Sequence, residues 1–316
     1  MYISSETRLF IREHSTDDVR TLALQSKKYP DVDMPVAITQ IAGRQIAAEK
    51  IPSWKKIEDI RYPKHLSLEQ CSSEITAYYK AGLLQGDSLT DLTGGFGVDC
   101  SFLAEKFKSV TYVERQEELC GIAAHNFPIL GLNHINVKNE DGIAHLKAMS
   151  PVDCIFLDPA RRNEHGGKAV AISDCEPDVA ALEGLLLNKA KQVMVKLSPM
   201  LDLSLALREL QQTQEVHIIS VNNECKELLL ILGQTIPQEI KIHCVNLSTK
   251  GEQEEQHFTF TREQEQCSQC NYTDSLDEYL YEPNASLLKA GAFKSLSSAF
   301  PIRKLHPNSH LYTSDT

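Results

Sequence analysis

Four carboxylates draw attention: Asp91 follows Leu89-Thr90, Glu114 follows Tyr112-Val113, Asp141 lies within Asn139-Glu140-Asp141-Gly142, and Asp158 follows Phe156-Leu157. Between the first two lies a glycine-rich stretch, Asp91-Leu92-Thr93-Gly94-Gly95-Phe96-Gly97-Val98-Asp99. Glycines let a backbone take positive φ and approach a ligand closely. Dinucleotide sites use such loops too, in the pattern G-x-G-x-x-G. Here that pattern would run Gly95-Phe96-Gly97-Val98-Asp99-Cys100, and its third glycine is missing. Asp91 and Asp99 flank the loop. Two carboxylates would repel a pyrophosphate and favour a ligand that is cationic and free of phosphate. Glu114 can accept both hydroxyls of a ribose, a use that NAD sites share. Asp141 can hold an adenine amino group, or simply cap the helix that starts near Gly142.

The fourth station reads Asp158-Pro159-Ala160-Arg161-Arg162. Proline has no backbone N–H, so a carboxylate followed by proline forms a cluster of acceptors. That suits an exocyclic amine: Asp158 orients it and the Pro159 carbonyl takes its second proton. Arg161 and Arg162 suit a phosphate or a surface ion pair. Asp-Pro is also an ordinary way to end a strand.

These residues need elements to position them. Strands are expected at Ser88–Thr93, Ser109–Glu114, Ile135–Lys138, Val152–Leu157, Gln192–Leu197, Glu215–Val221 and Glu227–Leu232. Helices are expected between the first six: Val98–Phe107, Glu117–Leu130, Gly142–Ala148, Pro177–Asn188 and Leu201–Gln212. Strands alternating with helices imply a mainly parallel sheet with crossover connections. Only Asn222 to Lys226 separate the last two strands, too few for a parallel crossover, so the seventh should run antiparallel. In open parallel sheets the ligand sits beyond the carboxyl ends of the strands, where all four carboxylates fall.

The flanks differ in character. Residues 1–65 read as a helical segment punctuated by Pro30, Pro35, Pro52 and Pro63. Residues 66–235 form the α/β domain. Residues 236–275 read as a hairpin, Ile240–Leu247 with Gln256–Arg262, and a polar linker. Residues 276–316 form a small α/β piece with one helix at Ala285–Leu296.

The motifs, in this order at successive strand ends, resemble motifs I to IV of class I S-adenosylmethionine (SAM) dependent methyltransferases. Cys71-Ser72-Ser73-Glu74 is similar to the segment that closes over the methionine end in RNA methyltransferases of the trimethylguanosine-synthase type. Ala123-Ala124-His125-Asn126 through Gly131-Leu132 resembles a helix of bacterial rRNA methyltransferases. Asp-Leu-Thr-Gly-Gly-Phe-Gly-Val-Asp, Leu-Asp-Pro-Ala-Arg-Arg and Lys-Leu-Ser-Pro-Met together resemble a bacterial family of THUMP-like domain methyltransferases. The resemblance implies a seven-stranded Rossmann-like sheet with an antiparallel seventh strand, and a ferredoxin-like C-terminal piece. In that family a THUMP-like part follows, and the chain stops where it should begin. The resemblance further implies SAM as cofactor, held by Asp91, Thr93, Gly95, Gly97, Glu114, Asp141 and Ser73. It assigns Asp158 and Pro159 to catalysis and Arg161 and Arg162 to substrate. Thr93 departs from the glycine common there, and Asp-Pro-Ala-Arg lacks the second proline and aromatic of Asp-Pro-Pro-Tyr. Position 5 of a pyrimidine is disfavoured as a target, because Lys196-Leu197-Ser198-Pro199 carries no cysteine nucleophile.

The 316 residues carry a net charge of −11, and the balance is uneven. Residues 1–65 hold 11 Lys/Arg against 9 Asp/Glu, and the remainder 21 against 34. An acidic body is a poor non-specific binder of nucleic acid, so RNA as partner needs a local basic surface. Nine scattered cysteines argue against a disulfide framework and for a reducing, cytoplasmic setting. No apolar run reaches the ~20 residues of a membrane span. Cys267 and Cys270 form one C-x-x-C without a second pair, so no metal is expected. The reading is thus a SAM-dependent methyltransferase acting on an exocyclic amine of a base in RNA. Its rivals are a nicotinamide oxidoreductase, an inactive methyltransferase-fold module that binds RNA, and a methyltransferase with another acceptor.

Overall fold

The computed structural model describes residues 3–161, 171–250 and 255–316. The chain divides between Cys154 and Ile155 into two compact units.

The first unit begins with helices α1 (Ser5–Glu13), α2 (Val19–Leu24) and α3 (Met34–Lys50). Each starts on a side-chain cap: Ser4, Asp18 and Asp33 accept from backbone N–H groups of the first turn, which satisfies donors no helix can satisfy itself. Their apolar faces meet in one cluster of Phe10, Ile11, Leu22, Met34, Ala37 and Ile41. Helices α4 (Pro52–Lys55), α5 (His65–Gln70) and α6 (Glu74–Ala81) follow. Strands β1 (Ser88–Asp91), β2 (Ser109–Glu114) and β3 (Ile135–Asn139) lie side by side in that order, and both pairs are parallel. Helices α7 (Val98–Ala104), α8 (Glu117–Ile129) and α9 (Gly142–Ala148) alternate with them. A second cluster joins Trp54, Tyr62 and Leu68 to Phe96, Val98 and Ile122. The helical segment therefore packs on the glycine loop rather than standing apart from it.

Strand β4 (Val152–Leu157) neighbours β1, and the division between the units falls within it. In the second unit the strands are β5 (Ala190–Leu197), β6 (Thr213–Val221), β7 (Glu224–Gly233), β8 (Lys241–Leu247) and β9 (Gln256–Thr261). Their order is β9-β8-β6-β7-β5-β4. Strand β7 runs antiparallel to both β5 and β6, as its short connection requires. That connection is tighter than the sequence suggests: Asn222 and Asn223 both take positive φ, +50° and +64°, as a two-residue hairpin turn demands. Leu228 to Leu232 are all buried, the continuous apolar run of a strand covered on both faces. The hairpin β8–β9 forms as expected, and β8 also pairs in parallel with β6, so the hairpin widens the sheet. Helices α10 (Val179–Lys189) and α11 (Leu203–Glu209) start on Asp178 and Asp202.

Two local readings change. The polar stretch expected as linker contains α12 (Arg262–Cys267), because Thr261 and Gln264 cap each other reciprocally. The single helix expected over Ala285–Leu296 is two, α13 (Ala285–Ala290) and α14 (Phe293–Ala299), parted at Gly291, whose φ of +71° ends the first. Three short antiparallel strands complete the C-terminal piece: β10 (Tyr279–Tyr281), β11 (Arg303–Lys304) and β12 (Tyr312–Ser314), in the order β10-β12-β11. Among the described residues, no helix is long and apolar enough to cross a membrane.

Candidate cofactor site and acceptor carboxylate

The glycine loop of the first unit is held from β2. Gly94 donates its N–H to the Val113 carbonyl at 2.8 Å, and Gly95 donates to Glu114 Oε2 at 2.9 Å. The Tyr112 hydroxyl donates to the Gly95 carbonyl. Gly95 and Gly97 take φ of +55° and +85°, which side-chain-bearing residues rarely adopt. Asp91 is 1% exposed, and its Oδ1 accepts from the Thr93 N–H at 3.0 Å. Glu114, 8% exposed, accepts from Gly95 on one oxygen and from Gln116 N–H on the other at 2.8 Å. A carboxylate has about four lone-pair directions, so each Glu114 oxygen retains capacity for a hydroxyl donor.

Asp141 caps α9, accepting from the Ala144 N–H at 2.9 Å, and it is exposed. The start of that helix abuts the loop, because a Cβ at Gly142 would collide with the Leu92 carbonyl oxygen. Asp91, Thr93, Gly95, Gly97, Glu114 and Asp141 are thus gathered at the ends of β1, β2 and β3.

Asp99, the second carboxylate flanking the loop, has a different employer. The Lys80 ammonium lies 3.0 Å from its Oδ1, and the Ser72 hydroxyl donates to its Oδ2 at 2.7 Å. Lys80 also donates to Ser72 at 2.9 Å. The triad moors the 71–74 segment to the start of α7. Ser73 stands at the N-cap of α6 without a side-chain cap bond, and its hydroxyl is 3.2 Å from that of Thr76. Cys100 is wholly buried, and burial, followed by the charges of Asp91 and Asp99, pushes its thiol well up. It therefore stays protonated and is no nucleophile.

In the second unit, Asp158 accepts a 2.6 Å hydrogen bond on Oδ2 from the Lys196 ammonium, which β5 contributes. The Lys196 side chain is 10% exposed and that of Asp158 37%. Pro159 is buried. The backbone of Ala160–Arg161 pairs antiparallel with Cys175–Glu176. Arg162 lies outside the described residues.

Sequence reading missed Lys196 as a partner of Asp158. The signal was there: a lysine inside Val193-Met194-Val195-Lys196-Leu197 must find an acceptor if buried. It also missed Glu215, His217 and His243, whose ligand atoms lie within 4.8 Å of one another. No spacing announces this group, because His217 and His243 meet only through the register of β6 with β8. Their rings stack at 4.4 Å. Cys267 is exposed, and the Cys270 thiol donates to the Phe293 carbonyl.

Residues 37–163 match the family of protein-L-isoaspartate (D-aspartate) O-methyltransferases, and residues 279–316 match a ferredoxin-like domain. None of the curated proteins matches the chain. Among solved structures, one described as "putative methyltransferase from Porphyromonas gingivalis W83" superposes with a TM-score of 0.85 at 36% identity, covering 100% of this chain and 80% of its own. An rRNA methylase from Streptococcus thermophilus gives a TM-score of 0.36 at 15% identity, covering 50% of this chain and 93% of its own. A Streptococcus mutans protein solved with SAH, also described as a "putative methyltransferase", gives 0.36 at 13%, covering 51% and 96%. Identity of 36% over the whole chain places the protein in the methyltransferase family of the Porphyromonas protein, with the Rossmann-like α/β fold of SAM-dependent methyltransferases and a ferredoxin-like C-terminal piece.

Proposed function

We propose that the chain transfers a methyl group from SAM to a nitrogen, an exocyclic amine of a base in RNA. The observation that carries the cofactor is the donor set around the loop. A backbone bent through two left-handed glycines is bordered by the buried carboxylates Asp91 and Glu114, and the loop itself holds no lysine or arginine. That set fits a ligand with an ammonium, a ribose diol and no phosphate. Asp91 would hold the ammonium, with Thr93 and the Gly95 and Gly97 backbone beside it. Glu114 would hold the ribose hydroxyls, Asp141 the adenine amino group, and Ser73 the methionine end. SAM supplies a methyl group made electrophilic by its sulfonium.

The rest is alignment, which in-line displacement rewards strongly. Asp158 accepts one N–H of the acceptor amine and the Pro159 carbonyl the other, so that the nitrogen lone pair is directed. The Lys196 ammonium donates to Asp158 Oδ2 and fixes it. The amine proton departs to water once the new C–N bond has formed. Arg161 and Arg162 serve a phosphate of the acceptor. The resemblance of the fourth motif and the basic N-terminal segment support RNA as that acceptor.

One observation favours a second reading. The Asp158–Lys196 pair engages the carboxylate that should meet the amine, as an inactive RNA-binding module would permit. Titration calorimetry with S-adenosylhomocysteine, then transfer of labelled methyl to total RNA, separates the two. Micromolar binding lost in Asp91→Ala and Glu114→Ala, with label transfer lost in Asp158→Ala, is the expected result. Absence of binding by folded wild type overturns the enzyme reading.

A further inference from the structure

The helical segment of the first unit encloses a cavity of about 270 Å³, and four arginines line it: Arg8, Arg12, Arg44 and Arg61. Arg8 and Arg12 lie four residues apart on α1 and so share a face. Arg44 comes from α3, and Arg61 from the extended stretch before α5. In a chain of net charge −11, this gathering of cations is unusual. Among the described residues, two acids, Glu58 and Asp59, line the same cavity. Asp59 makes a long, exposed pair with Arg8 at 3.8 Å. Arg44 donates to the Glu58 carbonyl at 2.6 Å, a neutral partner. Four guanidiniums against two carboxylates leave an excess of two positive charges.

The site is built, not merely basic. Two buried amides fix the backbone at its base. Asn126 accepts from the Arg61 N–H at 2.9 Å and donates to the Arg61 carbonyl at 2.8 Å. Gln40 does the same for Tyr62, at 3.0 and 2.9 Å. Arg61 is partly buried, and both its burial and the charge of Arg8 lower its pKa. Arg8 and Arg61 thus repel each other in a fixed frame, with Asp59 offsetting part of that cost and an anion able to relieve more. The frame also reaches the glycine loop, because Tyr62 packs 6.2 Å from Phe96.

We propose that this cavity is a phosphate-binding subsite, through which the N-terminal helices grip the backbone of a polynucleotide acceptor. Planar guanidiniums bind phosphate oxygens in pairs, and two successive backbone phosphodiesters, each of one negative charge, match the excess. The polynucleotide half rests on the reading of the acceptor as RNA.

The test uses the full chain with two probes, a fluorescent 12-nucleotide single-stranded RNA followed by anisotropy and inorganic phosphate followed by calorimetry. Arg12→Gln, Arg61→Gln and the double variant are compared, with S-adenosylhomocysteine binding as the check that the loop is intact. Arg12 is exposed, so its variant should fold even if that at Arg61 does not. The expected result is at least tenfold weaker RNA binding in the double variant, with the slope of log K against log salt reduced by about 1 to 2. Binding of S-adenosylhomocysteine should be unchanged, and Arg61→Lys should restore only part of the RNA affinity. Equal RNA binding by wild type and the double variant overturns the subsite and leaves the RNA reading standing. No RNA binding by wild type, with phosphate binding that needs Arg12 and Arg61, overturns the polynucleotide half alone.

Discussion

Lys80–Asp99 and Lys196–Asp158 are the same chemical pair in two settings. In the first, Lys80 is wholly buried, Asp99 is 11% exposed, and Ser72 bonds to both. In the second, Lys196 is nearly buried but Asp158 is 37% exposed. A closed pair has its polar capacity met within the protein and can only fasten elements together. A pair whose carboxylate faces water on one side is held, yet can still receive a ligand. The difference separates a carboxylate sealed among its partners from one that water still reaches, although both are an aspartate beside a loop.

The largest expected effect comes from opening the closed pair. Lys80→Met or Asp99→Ala leaves one buried charge alone and should cost about 3–5 kcal/mol in denaturant unfolding. The double variant Lys80→Met with Asp99→Leu should recover much of that loss. If the single variants unfold like wild type, the pair is no mooring.

A buried group can also shed its charge instead of pairing it, and His217 is that case. Burial, then the charge of His243, lowers its pKa to about 3. Glu215 stands 3.4 Å away but does not outweigh burial. Between pH ~6.5 and ~3 the unfolded chain therefore binds a proton that the folded chain refuses. Stability present above pH ~6.5 should fall with acidification through this window, by a few kcal/mol on the order given by linkage. His217→Phe should flatten that part of the stability–pH curve, and an unaltered curve would count against it.

The open pair should behave oppositely to the closed one. Asp158→Asn keeps an amide oxygen for Lys196 and should lower the unfolding midpoint less than Lys80→Met does, leaving S-adenosylhomocysteine binding intact, while the methyl-transfer rate falls about a hundredfold through lost alignment. Equal loss of rate and stability would make Asp158 a second mooring. The smallest effect belongs to Asp141. Its cap is worth about 1 kcal/mol, so Asp141→Ala should lower stability by that amount. A larger loss of S-adenosylhomocysteine affinity than of stability would separate its adenine role from its cap.

What was legible in the sequence was whatever is local. The strands β2, β4 and the helix α9 lie where apolar runs and a capping aspartate put them, and the antiparallel β7 follows from the length of one connection. The positions of Asp91, Glu114 and Asp158 were visible because each closes such a run, and that of Asp141 because it can cap the helix that follows. The pairs were not. Lys80 is 19 residues from Asp99, and Lys196 is 38 from Asp158, so only the fold brings them together. The same holds for the Arg8, Arg12, Arg44 and Arg61 cluster, which three separate segments supply. The break at Gly291 was local yet missed, since a helix tolerates an interior glycine at a cost of about 1 kcal/mol and only its φ shows the turn.

Strand β2 reaches the glycine loop at three consecutive residues, through the Tyr112 hydroxyl, the Val113 carbonyl and the Glu114 carboxylate. The loop therefore owes its shape to the sheet and not to what it binds. A ligand meeting it has little backbone entropy to remove, so association should be a simple bimolecular event without a slow ordering phase. The affinity gained there is what rigid scaffolds give in general: few degrees of freedom are left to freeze when the complex forms.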